Sequence, residues 1–342
     1  MSAPFSALLA HLLESESLDA ERVRTAFDAI LLGAWTPVQV GAYAVALRMR
    51  GETAEAIVAA AEAMRATMTT VEHDLPVLVD TCGTGGDASL TLNLSSAAAV
   101  VVAACKVAVA KHGNRSISSR CGSADVFEAL GIPLDVPPIR QGQVLREAGI
   151  AFLFAPSHHP ALKHAAQARR ELGTRTIFNI LGPLANPARA THQLLGMYDD
   201  ALRPLAASVL RQLGVRRAWV VRGQDGLDEV SPCAPTRVTE LTSDGQLLER
   251  EVTPEDFGTQ RVERSAIVGG DAAENAHALR TILAGGPHPA REAVVLNAAA
   301  ALVVATGDSP RAAAQRARRA IDEGAAEAKL EEWRRAAERA KA

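Results

Sequence analysis

Val77-Leu78-Val79-Asp80-Thr81-Cys82-Gly83-Thr84-Gly85-Gly86-Asp87 is the stretch of sequence that decides the fold. Its first three residues form a short, β-branched apolar run, which predicts a buried strand. The glycines that follow let backbone N–H groups approach a ligand closely, and consecutive N–H groups form a concave anion site. A helical pattern from Ser95 to Ala104 comes next, and its positive end faces the same place. The stretch therefore predicts a phosphate-binding loop between a strand and a helix, with an ordinary tight turn as the alternative.

Strand and helix patterns alternate after this loop. Short apolar runs predict further strands at Val107–Ala110, Phe152–Phe154 and Ala218–Val221. Helical patterns lie between them, as at 159–172 and 201–213, and this alternation predicts a parallel sheet covered on both faces. Residues 236–252 predict a strand pair that turns at 243–245, and the chain from about Asp271 predicts helices. The tail after Pro310 is most simply a solvated helix face.

The residues before the loop predict helices alone. Apolar residues repeat at helical spacing over Phe5–Leu13 and Val23–Leu31. Thr36 and Pro37 predict a capped helix that can run to Met49, and Thr53 predicts the cap of another that runs to about Met68. Four short helices make a small bundle. The predicted fold class is therefore α/β, with a small N-terminal helical bundle domain and a large α/β domain whose mostly parallel central sheet is flanked by helices.

A second polar segment follows the strand predicted at Val107–Ala110. It comprises Lys111 to Ser119 and then Gly122-Ser123-Ala124-Asp125. Lysine offers phosphate a point charge, arginine a planar fork, and serine hydroxyls further donors. Ligands of open α/β sheets bind at the carboxyl ends of strands, where both loops are expected. The segment predicts contacts to a phosphate-rich ligand, with a polar surface loop as the alternative.

Two further segments carry candidate ligand-binding residues. Asp225-Gly226-Leu227-Asp228-Glu229 follows a predicted strand, and adjacent carboxylates suit Mg²⁺, which keeps phosphate oxygens and waters among its ligands. A solvated acidic turn is the alternative. Arg169 lies in a predicted helix and suits a carboxylate partner. The nearby His158 and His159 suit metal or acid–base chemistry, although capping a helix or lining a polar wall is the simpler interpretation. Residues 173–187, rich in Gly and Pro, predict a rigid crossing between domains.

Composition limits the class of protein. The chain has 342 residues, of which 48% are hydrophobic, and this is enough for two domains with sizeable cores. The net charge of −3 argues against a nucleic-acid-binding surface. The apolar stretch Ala97–Ala104 is too short to span a bilayer, so no membrane association is expected. None of the four cysteines forms a C-x-x-C pair and the N-terminus lacks a signal-peptide pattern, so a cytoplasmic protein is expected.

Together, the four polar segments resemble the anthranilate phosphoribosyltransferases of tryptophan biosynthesis, over nearly the whole chain and in the same order. The strings Lys111–Asp125 and Arg169–Pro187 are specific to that family. The resemblance implies the fold of the nucleoside phosphorylase-like transferases, with a helical domain at 1–73, joined by a segment near 169–190, and an α/β domain at 74–342. It implies a homodimer formed through the helical domains. The implied reaction transfers the phosphoribosyl group of 5-phosphoribosyl 1-pyrophosphate (PRPP) to anthranilate and releases pyrophosphate.

The resemblance also implies which residues bind each ligand. Ser95, Asp228 and Glu229 would hold Mg²⁺, and Gly83, Asn114 and Arg169 would bind anthranilate. No residue is expected to act as a covalent nucleophile. The residues implied to bind PRPP are Gly83, Gly86, Asp87, Thr91, Asn93, Leu94, Ser95, Ser96, Lys111, His112, Gly113, Asn114, Arg115, Ser116, Ile117, Ser118, Ser119 and Ser123.

The first loop departs from the family pattern. Ala88 stands where glycine is usual, Leu92 where phenylalanine is usual, and Ser96 where the family more often has threonine. Alanine is strained wherever a positive φ is needed, so these changes bear on loop mobility and affinity more than on the reaction.

Two other functions compete with this interpretation. A pyrimidine nucleoside phosphorylase shares the fold, but Asn114-Arg115 together with Arg169 suits an aromatic carboxylate better. A noncatalytic paralogue that binds nucleic acid would have a basic face and broken metal ligands, whereas Asp228 and Glu229 are intact and the net charge is negative.

Overall fold

The computed structural model describes residues 4–15, 17–85, 90–116 and 120–342. The strands are β1 Leu78–Gly83, β2 Ala108–Gly113, β3 Ile150–Phe154, β4 His192–Gly196, β5 Arg217–Gly223, β6 Thr236–Leu241 and β7 Leu247–Val252. In this part of the chain they form one seven-stranded sheet in the order β3-β2-β1-β4-β5-β6-β7. β1 to β5 are parallel, and β6 and β7 continue the sheet as antiparallel strands beside β5. The predicted mostly parallel sheet is confirmed.

Helices cover the sheet and form the N-terminal bundle. Short 3₁₀ turns lie at Pro138–Arg140, Pro160–Leu162, Asp200–Leu202, Pro254–Phe257 and Arg264–Ile267. The α-helices are α1 Phe5–Glu14, α2 Ala20–Leu31, α3 Pro37–Arg50, α4 Ala54–Ala66, α5 Leu94–Ala104, α6 Ser123–Ala129, α7 Gln141–Ala148, α8 Ala155–His158, α9 Lys163–Leu172, α10 Phe178–Leu184, α11 Arg203–Gln212, α12 Ala272–Leu283, α13 Arg291–Thr306, α14 Pro310–Asp322 and α15 Ala325–Lys341.

The N-terminal bundle begins and ends its helices where capping chemistry predicts. Thr36 and Gln39 form a capping box at the start of α3, and Pro37 occupies the first helical position. The Thr53 hydroxyl accepts the N–H of Ala56 at the start of α4, which ends at Ala66, two residues before the predicted end. The four predicted helices are confirmed, together with the fold class of a small helical bundle and a large α/β unit.

The central strand β4 is absent from the sequence prediction. It lies between β1 and β5 and is buried along its whole length, although it begins with His192 and Gln193. The Gln193 amide donates to the Pro183 carbonyl (2.8 Å) and to the Cys82 sulfur (3.1 Å), which allows a polar side chain inside the sheet. The five-residue strand has neither a continuous apolar run nor a clean alternation, and this explains the omission.

Two residue stretches predicted as loops are strand ends. β1 continues through Asp80, Thr81, Cys82 and Gly83, and β2 continues through Lys111, His112 and Gly113. Their side chains are therefore fixed by the sheet and alternate between its two faces. The sequence predicted that these residues lie in turns, whereas the structure places them in the strands of the sheet.

Two hydrophobic cores lie on opposite faces of the sheet. α5 and α13 pack against each other and against one face, in a core that includes Leu194, Trp219 and Val221. The N-terminal helices, α9, α10 and α11 share the other core, which includes Leu195 and Val220. The C-terminal tail is more than a solvated face, because Trp333 of α15 and the alanine face of α14 are buried in the first core.

The segment predicted as a rigid crossing contains a helix. α10 spans Phe178–Leu184 with Pro183 inside it, and α10 packs on α4 while α9 packs on α2 and α3. The segment therefore contributes side chains to the core of the bundle. Among the described residues, no single helix has both the length and the apolar character to cross a membrane; α13 and α14 meet that test together, but a 120° bend separates them.

Candidate active site

The polar segments meet at one edge of the sheet. β1, β2, β4 and β5 are parallel, so their carboxyl ends lie together, and the loops after β1, β2 and β5 carry the residues that the sequence predicts to bind ligands. In the register of β1 and β4, Gly83 pairs with Gly196 at this edge. This is the position at which open α/β sheets bind ligands.

Asp228 lies against the two glycines at the strand ends. A Cβ on Gly83 would come within 2.7 Å of Asp228 Oδ2, and a Cβ on Gly196 would come within 1.6 Å of the Asp228 carbonyl oxygen. The Gly85 N–H donates to Asp228 Oδ2 (2.8 Å). The first loop and the acidic loop are therefore in direct contact, as the sequence predicts. Gly196 was not among the predicted residues, because its role depends on a neighbour that is distant in sequence.

The N-terminus of α5 holds the second carboxylate. The Ser95 N–H donates to Glu229 Oε1 (3.1 Å), so a negative group occupies the positive end of this helix. Lys111 is almost fully buried, and its Nζ donates to the Thr81 carbonyl and to Ser95 Oγ (3.3 Å). Predicted metal and phosphate residues therefore converge at Ser95. By contrast, Leu94 and Ser96 are buried, and their backbone N–H groups donate to the carbonyls of Leu92 and Asn93.

The residues present fit a magnesium ion. Asp228, Glu229 and the Ser95 hydroxyl are hard oxygen donors and belong to segments that touch one another. Among the described residues, no group of three or more His, Cys, Asp or Glu side chains forms a complete metal cage. Three hard oxygen donors suit Mg²⁺, which binds to few protein oxygens and retains waters and substrate phosphate oxygens.

Asp80 lies at the centre of a buried network beside Lys111. Its Oδ1 accepts the His112 N–H (3.1 Å), and its Oδ2 accepts the Asn186 amide (2.8 Å), which also donates to the Ala110 carbonyl (2.8 Å). Burial raises the pKa of Asp80 to about 6, although Lys111 and these hydrogen bonds act in the opposite direction. The network fixes β1, β2 and the segment after α10 relative to one another.

The second loop is held together by Asp125. Its Oδ2 accepts the N–H groups of Gly122 (2.8 Å) and Ser116 (3.2 Å), while its Oδ1 pairs with Arg115 (2.8 Å). Arg115 also forms a bidentate pair with Glu128. The guanidinium predicted to bind phosphate is therefore engaged by two carboxylates in this structure. Asn114 Oδ1 accepts the Arg115 N–H (2.7 Å).

Close backbone approach explains the glycines of the second loop. A Cβ on Gly122 would lie 2.4 Å from the Ser116 nitrogen, and one on Gly113 would lie 2.2 Å from Ser123 Oγ. Ser123 Oγ donates to the Asn114 carbonyl (3.3 Å). The loop therefore folds back on itself and brings Asn114, Ser116 and Ser123 together.

Asn93 connects the two loops to α12. Its amide donates to the Cys121 carbonyl (3.2 Å), and its Oδ1 accepts the amide of Asn275 (2.9 Å). Thr91 forms an isolated β-bridge with Val268, so the strand-like segment before α5 is paired with the segment before α12. Asn93 was predicted to contact PRPP; in this structure its side chain joins protein segments.

Arg169 is half-buried and lies on α9. Its guanidinium is 5.7 Å from the centre of the Phe178 ring, and burial lowers its pKa. In the described part of the chain it forms no hydrogen bond or ion pair with a protein group, and hence none with Gly83 or Asn114, the other predicted anthranilate residues. α10 contacts both regions: its Phe178 ring faces Arg169, and its Gly182 carbonyl lies 3.0 Å from His112 Nδ1.

The three histidines near α10 have lowered pKa values. The rings of His112 and His159 lie 5.1 Å apart. Burial, with a smaller contribution from neighbouring histidines, lowers the pKa of His159 to about 4 and that of His112 well below its usual value. His158 contacts the Thr69 carbonyl through Nδ1 (2.9 Å). The simpler interpretation of these residues as a polar wall agrees with this arrangement.

Some predicted residues lie outside the described ranges. They are Gly86, Asp87, Ile117, Ser118 and Ser119, together with the variant position Ala88.

Comparison with known proteins identifies the class first. A helical bundle domain of a glycosyl transferase family matches residues 6–68, and the α/β domain of such a family matches residues 75–327. The chain is therefore a glycosyltransferase.

Sequence relatives and solved structures identify the particular family. A Myxococcus xanthus anthranilate phosphoribosyltransferase is 52% identical over 314 residues, 92% of this chain and 93% of the relative. The crystal structure of the Thermus thermophilus anthranilate phosphoribosyltransferase has a TM-score of 0.91 and 40% identity, covering 97% of this chain and 99% of that one. The Saccharomyces cerevisiae enzyme in complex with PRPP and Mg also has a TM-score of 0.91, with 27% identity and 98% of each chain covered.

The chain belongs to the anthranilate phosphoribosyltransferase family. The predicted family and the predicted pentosyltransferase activity are confirmed, and the relatives favour this function over the phosphorylase and nucleic-acid-binding alternatives.

Proposed function

We propose that this chain transfers the phosphoribosyl group of PRPP to the amine of anthranilate and releases pyrophosphate, as a step of tryptophan biosynthesis. One observation carries the proposal. The Gly85 N–H, the N-terminus of α5 and the buried Lys111 converge with the carboxylates of Asp228 and Glu229 at one edge of the sheet. Amides and a lysine suit a diphosphate, and the carboxylates suit its counter-ion.

The donor diphosphate would bind where the first loop meets Lys111. Backbone N–H groups beside Gly85 and the Lys111 ammonium supply hydrogen bonds and positive charge to phosphate oxygens. The loop formed by Asn114, Ser116 and Ser123 adds further donors on the neighbouring strand end. The strands hold these groups in place before the donor arrives, so little reorganisation is needed on binding.

Ser95, Asp228 and Glu229 would hold magnesium, the metal present in the complex of the yeast relative. Bound there, the ion would neutralise negative charge on phosphate oxygens. The protein contributes the position of the two carboxylates, which the Gly85 and Ser95 N–H groups orient.

Arg169 would bind the carboxylate of anthranilate. Its guanidinium has no anionic partner in the described part of the chain, and the Phe178 ring beside it supplies an apolar surface for an aromatic ligand. Burial makes a charge-assisted hydrogen bond stronger than it would be in water.

The chemistry needs no covalent nucleophile. An aromatic amine is uncharged near pH 7 and attacks without prior deprotonation, so the difficult task is departure of pyrophosphate from C1 of an oxocarbenium-like ribose. Fixed positive charge from Lys111 and the loop amides stabilises the charge that develops on the leaving group. Catalysis thus rests on positioning and electrostatics.

The direct test is an assay with protein, PRPP, Mg²⁺ and anthranilate, followed by the loss of anthranilate fluorescence. We expect a loss of fluorescence that requires protein, PRPP and Mg²⁺ together. Release of free base from thymidine or uridine with inorganic phosphate, without loss of anthranilate fluorescence, would refute the proposal.

We further propose the domain division 1–73 and 74–342, with the segment near 169–190 joining the helical domain. The acceptor residue Arg169 lies on the side of the helical bundle and the donor residues lie on the sheet, so closure between them would complete the site. Small-angle scattering profiles should differ with and without both substrates. Superimposable profiles would exclude closure.

A homodimer through the helical domain is also proposed. Leu32, Val38 and Met49 lie on the bundle and are 75%, 80% and 83% exposed, which is unusual for large apolar side chains. Sedimentation should give a dimer that Val38→Glu weakens. A monomeric wild-type chain would contradict this assembly.

The free cysteines agree with a cytoplasmic location.

A further inference from the structure

Asn297 is a polar residue inside an apolar helix. It lies in α13 between Leu296 and Ala298, and it is fully buried. Burying an amide without hydrogen-bond partners is costly, so such a residue needs specific partners. The partners of Asn297 include the backbone of the loop that carries the acidic pair.

The Asn297 amide forms a two-point clamp on one backbone residue. Its Oδ1 accepts the Val230 N–H (3.0 Å), and its Nδ2 donates to the Val230 carbonyl (3.0 Å) and to the Ala293 carbonyl of its own helix (3.0 Å). Val230 directly follows Glu229 in the sequence. The clamp therefore fixes the backbone one residue from the predicted metal-binding pair.

The other side of the acidic pair is fixed as well. Leu227, which directly precedes Asp228, is fully buried, and its carbonyl accepts the Gly223 N–H (2.9 Å). Asp228 rests on Gly83 and Gly196. The two carboxylates thus lie on a two-residue span between anchors at Leu227 and Val230, and the Val230 anchor depends on a polar side chain of α13.

We propose that Asn297 is a positioning residue that orients Asp228 and Glu229 for the metal ion. This inference rests on the proposed metal site. Asn297 is fully buried and acts through the Val230 backbone, as outer partners of metal ligands commonly do. Without the clamp, the Val230 N–H and carbonyl lose their partners, and the span that carries the carboxylates is released from α13.

The experiment compares Mn²⁺ binding with thermal stability. Binding of Mn²⁺ alone is measured from the electron paramagnetic resonance signal of the free ion, for wild type, Asn297→Leu, Asn297→Asp and Asp228→Asn. Asn297→Leu keeps the number and branching of the side-chain heavy atoms and removes both hydrogen bonds to Val230; Asn297→Asp keeps the acceptor and removes the donor. Leu302→Ala is the matched control, since Leu302 is a fully buried residue of the same helix that is not in the clamp.

We expect Asn297→Leu to weaken Mn²⁺ binding by about 10- to 100-fold, the range for outer partners of metal ligands. Asn297→Asp should lie between it and wild type, and it carries the test if Asn297→Leu does not fold. Leu302→Ala should lower the Tm while keeping wild-type Mn²⁺ affinity. If both Asn297 variants bind Mn²⁺ with wild-type affinity while Asp228→Asn binds it weakly, the inference about Asn297 is wrong and the proposed metal site stands. Unchanged affinity in Asp228→Asn would overturn the proposed metal site, and the inference with it.

Discussion

Gly196→Ala should disable the enzyme by moving Asp228. A Cβ at this position would lie 1.6 Å from the Asp228 carbonyl oxygen, and an ordinary contact needs at least 3.4 Å. Relief therefore requires a displacement of about 1.8 Å of backbone that the buried Leu227 and Val230 hold in place. Since a misplacement of about 1 Å can cost about 100-fold in rate, we expect kcat/KM to fall by at least about 100-fold, or about 2.7 kcal/mol of transition-state stabilisation.

The assay is the loss of anthranilate fluorescence at several Mg²⁺ concentrations. The variant should need more Mg²⁺ for half-maximal rate, because the carboxylate moves with its backbone. Gly41→Ala is the matched control: it makes the same chemical change in α3, where the new methyl would meet Leu172 at an ordinary 3.7 Å. A folded Gly196→Ala enzyme with wild-type kcat/KM and Mg²⁺ dependence would refute the role of this glycine.

Three further substitutions test other parts of the site. Arg169→Ala should raise the KM for anthranilate and leave the KM for PRPP nearly unchanged; steady-state kinetics with each substrate varied would show an unaltered anthranilate KM if the assignment is wrong. Lys111→Met should lower kcat/KM for PRPP by about 10²–10³-fold, since one preorganised positive group is lost, and a smaller effect than tenfold would exclude a direct phosphate contact. Burial lowers the pKa of His159 to about 4, so the unfolded chain binds the proton more tightly than the folded one. The free energy of unfolding should therefore fall by about 3 kcal/mol as the pH drops from about 6.5 to 4. His159→Gln should reduce that acid destabilisation in thermal unfolding at pH 7 and pH 4.5, and parallel curves for the two proteins would contradict it.

Local chemistry made much of the fold predictable from the sequence. The caps at Thr36 and Thr53 and the apolar spacing of α1 and α2 depend on neighbours within one helical turn, so the sequence alone contains them. β4 could not be found in this way. Its polar Gln193 is acceptable only because the Pro183 carbonyl and the Cys82 sulfur lie beside it, and both partners are brought there by the tertiary fold.

The candidate site divides along the same line. Asp228 and Ser95 could be chosen as candidates from the sequence, because each is an oxygen donor within a short motif, and the structure places the two segments in contact. Gly196 and Asn297 could not, because each acts on a backbone group of a distant loop. The sequence signal for Asn297 was its position as a polar residue within the apolar run of α13. Arg115 was predicted from its sequence context to bind phosphate, and nothing in the sequence indicated that Asp125 and Glu128 lie close enough to pair with it.

The two cores on opposite faces of the sheet have a consequence for changing which acceptor the enzyme uses. Neighbouring residues of one strand belong to different cores, as Leu194 and Leu195 do. Residues that shape the surroundings of Arg169, such as Phe178, pack in the core shared with the bundle, whereas α5 and α13 pack in the other. Laboratory evolution towards larger aromatic acids should therefore accumulate mutations in α9 and α10, while α5 and α13, on the side of the proposed donor site, keep their sequence.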